Sequence, residues 1–173
     1  MSRKAARTDW TVVPESPRAI EAVAARCRKL VTKRALVAAG VAMVPIPGVD
    51  WVTDVGMLVK LLPEINEAFG LTPAQIERLA PDRRLVVYKV LSTAGGMLVG
   101  RVVTQKLVLS LLKVVGVRLT AQQAAKYVPI AGQAVSAALT FSALKYVCEQ
   151  HIQQCIAVCE QLQLPAPQDT TPA

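Results

Sequence analysis

Aromatic residues are scarce in this chain: phenylalanine, tryptophan and tyrosine together supply 4% of its 173 residues. Base-stacking platforms need aromatic side chains interleaved with cations. Their lack, with no recognised nucleic-acid module, excludes nucleic acid as the expected partner despite a net charge of +8. Histidine occurs once, at His151, and no Ser-His-Asp or Cys-His arrangement can be built around it. The chain therefore reads as non-enzymatic, with no catalytic residue, cofactor or metal assigned. No stretch alternates apolar and polar residues in the manner of a half-buried strand, so the expected fold class is all-α.

Long uncharged runs are missing too. The longest, Tyr127 to Leu144, covers roughly 27 Å as ideal helix against a hydrocarbon core of about 30 Å. It also contains Pro129, Gly132, Gln133 and Ser136. The run Ala35 to Val49 is shorter. Three readings stay open for these segments: a buried core helix, a re-entrant or interfacial hairpin, and a transmembrane helix. Asp50, Asp54, Lys60, Arg101 and Lys106 oppose deep lipid exposure of the adjoining chain, because charges are costly there. Residues 1–33 lack the compact apolar stretch of a secretory signal, which points the four cysteines to a reducing compartment as free thiols.

What the chain has is aliphatic bulk and an uneven charge. Apolar residues make up 53% and the mean hydropathy is +0.38. Residues 1–34 hold nine basic side chains against Asp9, Glu15 and Glu21, which is six of the eight net charges. A basic helix leading into apolar helix suits an anionic membrane surface, where each cation contributes roughly 1 kcal/mol. Arg26, Arg28, Lys29, Lys33 and Arg34 are the expected membrane-surface contacts.

The organising stretch is Val44-Pro45-Ile46-Pro47-Gly48-Val49-Asp50. Two prolines stop a helix, Gly48 can take the φ > 0 geometry of a reversal, and Asp50 can cap the next helix. This predicts the tip of a helical hairpin. Its echo, Val128-Pro129-Ile130-Ala131-Gly132, agrees at four of five positions and suggests a second hairpin and a pseudo-duplicated bundle. Around these turns the pattern gives a loose basic tail over 1–15, one helical domain over 16–164 and a polar, proline-rich tail over 165–173. Ser16-Pro17 starts the first helix. The second arm runs from Asp50 to Leu62, is kinked or restarted at Pro63, and stops at Gly70. Thr72-Pro73-Ala74-Gln75 and Thr120-Ala121-Gln122-Gln123 read as capping boxes. The first opens a short helix ending near Ala80, and Pro81 opens the next, to Gly95-Gly96. Arg101 to Val115 and Ala134 to Leu164 complete the set. Gly96 and Gly100 permit close helix approach; the lysine and Ser/Thr of a phosphate loop are missing there.

Two clusters could carry chemistry. Cys148, His151, Cys155 and Cys159 share one face of the last helix. Thiolates and imidazole are zinc ligands, but one straight helix offers a line of ligands where tetrahedral closure needs several directions. The stripe Cys148, Ile152, Cys155, Cys159 equally makes a buried seam. Asp50 and Asp54 could bind a cation as a pair, or serve as cap and first-turn acid.

The residues Val44-Pro-Ile-Pro-Gly-Val-Asp-Trp-Val-Thr-Asp54, followed by Met57 to Leu62 and the Gly70 stop, resemble the bacterial YcjF-like domain family of unknown function. Val128 to Gly132, with the Ala-rich helix and Thr140, looks like that family's second turn, although Ala131 stands where the first turn has Pro47. The likeness spans roughly residues 30–150, and EcsC-like proteins look similar. It implies association with membranes and with a partner GTPase, at the bacterial cytoplasm or the cytoplasmic face of the inner membrane. The expectation is a non-enzymatic, membrane-associated helical protein. The alternative is a soluble adaptor or immunity-type protein that buries its hairpins and binds a protein partner. Oligomeric state is not legible.

Overall fold

Ser16 starts the first helix as the sequence predicts. Its hydroxyl accepts from the Ala19 amide at 3.2 Å and its carbonyl from the Ile20 amide at 2.9 Å, with Pro17 at the first helical position. In this computed structural model, residues 13–42, 49–93, 99, 103–110, 113 and 132–163 are described, with backbone only at 41–42, 49–54, 93, 132–137 and 139. Five helices follow in order: α1 (Pro17–Ala42), α2 (Val49–Ala68), α3 (Pro73–Ile76), α4 (Pro81–Thr93) and α5 (Gly132–Gln163). A further helical stretch covers 105–110, and no strand occurs among the described residues. The fold is an all-α bundle.

Three seams at three- and four-residue spacing build the core. On α1 they are Ile20, Val23, Ala24, Cys27, Val31, Ala35 and Ala38; on α2, Leu58, Leu61, Leu62, Ile65 and Phe69; on α5, Leu144, Val147, Cys148, Ile152, Cys155 and Cys159. This spacing lays one stripe along each cylinder, so each helix hides one face and leaves the other in solvent. α5, 32 residues and roughly 48 Å long, is the spine: α1, α2 and α4 all pack on it, and α1 and α2 pack on each other. The small side chains of the α1 seam (Ala24, Cys27, Ala35, Ala38) permit close approach to α5.

The link from α2 to α3 shows how the sequence switches direction in four residues. Gly70 has φ 71°, a left-handed conformation that a Cβ disfavours. The Gly70 amide donates to the Glu67 carbonyl at 3.1 Å and the Leu71 amide to the Asn66 carbonyl at 2.8 Å, the paired bonds of a Schellman stop. Thr72 then starts α3 with a complete capping box: its hydroxyl accepts from the Gln75 amide, and its own amide donates to Gln75 Oε1 at 3.0 Å. The buried Leu71 side chain anchors the connection.

Several boundaries differ from the sequence reading. α2 passes Pro63 without restarting, because the upstream turns and the buried Leu61, Leu62 and Ile65 hold the helix across the missing amide. α2 already begins at Val49, which puts Asp50 and Asp54 inside the helix; their side chains lie outside the described residues. α3 is a single turn ending at Ile76 and does not reach Ala80. The helix expected from Arg101 starts at 105, where the Thr104 hydroxyl accepts from the Leu107 amide at 3.3 Å. Gly132 is the first residue of α5, two positions before the predicted start. Pro45, Pro47, Gly48, Pro129, the Gly96/Gly100 pair and the box at Thr120 lie outside the described residues, as do both tails over most of their length.

Candidate functional site

α1 carries most of the basic residues singled out from the sequence, and its neighbours divide them into two groups. No acidic residue occurs between Glu21 and Asp50. Counter-charges for this cationic stretch come from elsewhere. Arg28 takes one flank of α1, where Nε lies 3.1 Å from both carboxylate oxygens of Glu149 on α5 and Nη1 lies 2.9 Å from Glu21. Arg34 takes the other flank and meets Glu64 of α2 at 2.8 Å. The Arg28 guanidinium, by direct hydrogen bonding, holds the Glu149 carboxyl below its ordinary pKa. Two of the five expected surface cations are thus engaged in half-buried ion pairs to neighbouring helices, Arg28 to α5 on one side of α1 and Arg34 to α2 on the other.

Lys29 and Lys33 are exposed and make no ion pair among the described residues. Arg26 is exposed on the same side and has its own interaction partner. At ~100° per residue, Arg18, Ala22, Lys29, Lys33, Leu36 and Gly40 fall on one outward stripe of α1, with Val37 and Arg26 along its edge. Leu36 is 60% exposed and Val37 58% exposed. A Cβ built at Gly40 would meet nothing within 4 Å, so the stripe is open to its end. Cations thus occupy the middle of the outward face, and uncovered aliphatic surface occupies its C-terminal part.

A groove of about 420 Å³ lies between α1 and α2, floored by Cys27, Leu30 and Ala68 and edged by Arg26, Glu64 and Glu67. It sits beside the outward stripe, with Arg26 between them.

The second candidate, the cysteine–histidine face of α5, is inside the core. Cys148, Cys155 and Cys159 are fully buried and His151 is 1% exposed. His151 has a partner that sequence reasoning missed: Nε2 lies 2.9 Å from Oδ1 of Asn66 on α2. The carboxamide oxygen only accepts, so the Nε2–H tautomer donates to it. The Cys155 thiol donates to the same oxygen at 3.7 Å and lies 3.9 Å from Nε2. His151 Nδ1 is buried with no partner at hydrogen-bonding geometry among the described residues. Burial pushes the imidazole pKa down to about 4, against smaller opposing effects of the Gln154 side chain and the Leu62 backbone. Burial pushes the Cys155 thiol well up, and the Cys148 and Cys159 thiols to about 12.

A Cys–His–Asn set invites comparison with nucleophilic catalysis, but its physical state opposes that chemistry. A nucleophilic cysteine needs thiolate character and access. Here the thiol and the imidazole are both driven to their neutral forms, and neither meets solvent. Among the described residues no three His, Cys, Asp or Glu side chains are grouped to hold a metal. The arrangement is a polar fastener joining α2 to α5. One signal for it was present: Asn66 lies in register between Leu62 and Phe69, a polar residue at a core position of α2.

No family model, curated protein or solved structure matches the chain.

Proposed function

We propose that the protein is a non-enzymatic, peripheral membrane protein that binds anionic lipid surfaces through its basic N-terminal helix. One observation carries this reading: α1 is acid-free after Glu21, and among the described residues its outward Lys29 and Lys33 make no ion pair of the kind that Arg28 and Arg34 make. Unpaired cations on one face of a folded helix attract anionic headgroups, and salt screens that attraction. No described helix is long and apolar enough to cross a membrane, which favours lying on the surface over spanning as the working form of this proposal. The likeness of residues 44–54 to YcjF-like domains supports the same reading, and by analogy alone it extends to a partner GTPase. The expected site is the cytoplasmic face of a bacterial inner membrane.

Flotation of the full chain with vesicles tests it. Binding to phosphatidylglycerol-containing vesicles, absent on pure phosphatidylcholine and released by high salt, is the expected result. Indifference to vesicle charge would overturn it. The groove between α1 and α2 favours the second reading, a soluble adaptor seating a partner's side chains there. That reading expects a monodisperse protein in plain buffer that never floats.

A further inference from the structure

We infer that α1 docks on an anionic bilayer by a single face with two working parts, Lys29 and Lys33 at headgroup level and Leu36 and Val37 inserted below it. The inference rests on the membrane reading above and adds where and how the surface engages. Charge complementarity selects the occupant. The outward stripe holds two lysines with no ion pair among the described residues, and no acid lies on it beyond Glu21.

The stripe's second property separates lipid from other polyanions. Leu36 stands in line with the lysines and Val37 along the edge of the same face, both uncovered by any described element, and Gly40 continues the face with open space. A phosphate backbone offers nothing to aliphatic side chains at that position. The boundary between headgroups and acyl chains does, because a bound helix buries its apolar side there by about 5–10 Å. Lysine stems reach past this boundary and keep their ammonium groups among the phosphates. Lys29 and Leu36 are separated by roughly 10 Å along the axis, so the helix must tip with its C-terminal half deeper. The sequence that follows supports this polarity, since 41–49 carries no charge. The engaged arginines complete the device. Arg28 on Glu149 and Arg34 on Glu64 lie on the two flanks of α1, away from the outward stripe, so the stripe can engage a surface while these pairs and the buried seam of α1 stay in place.

The test is flotation of the full chain with phosphatidylcholine vesicles, with and without phosphatidylglycerol. Lys29→Gln with Lys33→Gln should lower binding to the anionic vesicles about thirtyfold. Leu36→Ser with Val37→Ser should lower it by about tenfold or more while the residual binding stays salt-sensitive. The control pair Lys106→Gln and Lys113→Gln removes the same charge from exposed positions elsewhere and should change binding by less than about threefold. In Leu36→Trp, acyl chains brominated near the headgroup should quench the added emission. This variant decides alone should the serine pair lose its helical circular dichroism.

The outcomes separate cleanly. A wild-type chain that ignores anionic vesicles overturns the membrane reading and this inference together. Wild-type binding that survives both α1 pairs, or falls equally with the control pair, overturns the inference and leaves the reading standing. Lysine dependence without any effect of the serine pair, together with tighter binding to duplex DNA, overturns it in favour of a nucleic-acid surface. An unquenched Leu36→Trp also overturns it.

Discussion

Asn66 on α2 and His151 on α5 meet at 2.9 Å in the middle of an apolar core, 85 residues apart in sequence and respectively 2% and 1% exposed. The carboxamide oxygen is shared, since the Cys155 thiol points at it from one turn along α5. The buried neighbours of both residues one turn away are apolar or cysteine (Leu62 and Phe69 on α2, Val147, Cys148 and Cys155 on α5), so sliding α2 along α5 by one turn would bury each polar group without this partner. The contact therefore fixes the register of the two helices, and its value lies in excluding alternatives more than in net energy.

Removing both partners should cost less than the two single removals added together. Asn66→Leu leaves the His151 Nε2–H buried and unpaired, a loss of about 1–3 kcal/mol. His151→Leu leaves the carboxamide oxygen with only the Cys155 thiol and should cost a similar amount. A double variant removes both polar groups, so urea denaturation should show a combined loss smaller than the sum, with a coupling of about 1 kcal/mol or more. Strict additivity would mean that the bond contributes nothing.

Acid should find this contact first. The imidazole pKa is about 4 in the fold against 6.5 for an ordinary imidazole, because burial penalises the charged form. A lowered histidine pKa means that the unfolded chain takes up the proton first. Above pH 6.5 both states are neutral and stability is unaffected. Between 6.5 and 4 stability falls with pH, and below 4 the loss levels off at about 3 kcal/mol. Unfolding free energies measured at pH 7, 5.5 and 4 should show this slope, and His151→Leu should flatten it. The Arg28–Glu149 pair adds a decline that begins near the ordinary carboxyl pKa of 4.5 and continues downward as the lowered Glu149 carboxyl is protonated, so the histidine contribution is read between the pH 7 and pH 5.5 points.

Much of the scaffold was legible because local chemistry alone decides it. Ser16-Pro17, Gly70 and the Thr72/Gln75 box mark helix ends through bonds made within a few residues, and all three stand where the sequence puts them. The buried seam on α5 follows equally from spacing. What pattern alone could not supply was pairing between elements. Nothing in the sequence assigns Asn66 to His151, or Glu149 and Glu64 to Arg28 and Arg34, because those choices follow from how three helices pack. The basic face was therefore read as five equivalent contacts, whereas α1's neighbours engage two of them. Pro63 does not restart the helix for a related reason: a proline inside a helix is costly alone, but tertiary burial on both sides of it holds the helix together.

Gly70 should tolerate no side chain well. Its φ of 71° belongs to the region that a Cβ disfavours, and the two bonds that close α2 depend on it. Gly70→Ala should lower stability by about 1 kcal/mol, and Gly70→Val by more. Asn66 is the acceptor of the second closing bond through its carbonyl, so distortion here reaches the fastener to His151. Lowered stability together with a changed slope of stability against pH is the expected signature, measured by thermal unfolding at pH 7 and 5.

The four thiols should be silent in the folded protein. Cys27, Cys148, Cys155 and Cys159 are all free and buried, and burial holds every one of them in the protonated form. Alkylation and metal binding both need thiolate, so at neutral pH their rates should be governed by opening of the bundle rather than by thiol chemistry. Cys27 is the exception in degree. It lies in the floor of the groove between α1 and α2, is 4% exposed, and its pKa is raised less, to about 11, because Arg26 and Arg28 offset part of the burial penalty. Iodoacetamide followed by peptide mass analysis should therefore label Cys27 first and the α5 cysteines only as denaturant is added. Rapid labelling of Cys155 in the native protein would contradict the packing of α2 on α5. Stoichiometric zinc on the purified chain, lost in Cys155→Ser, would do the same, because a thiolate at that position cannot coexist with the neutral Asn66–His151–Cys155 contact.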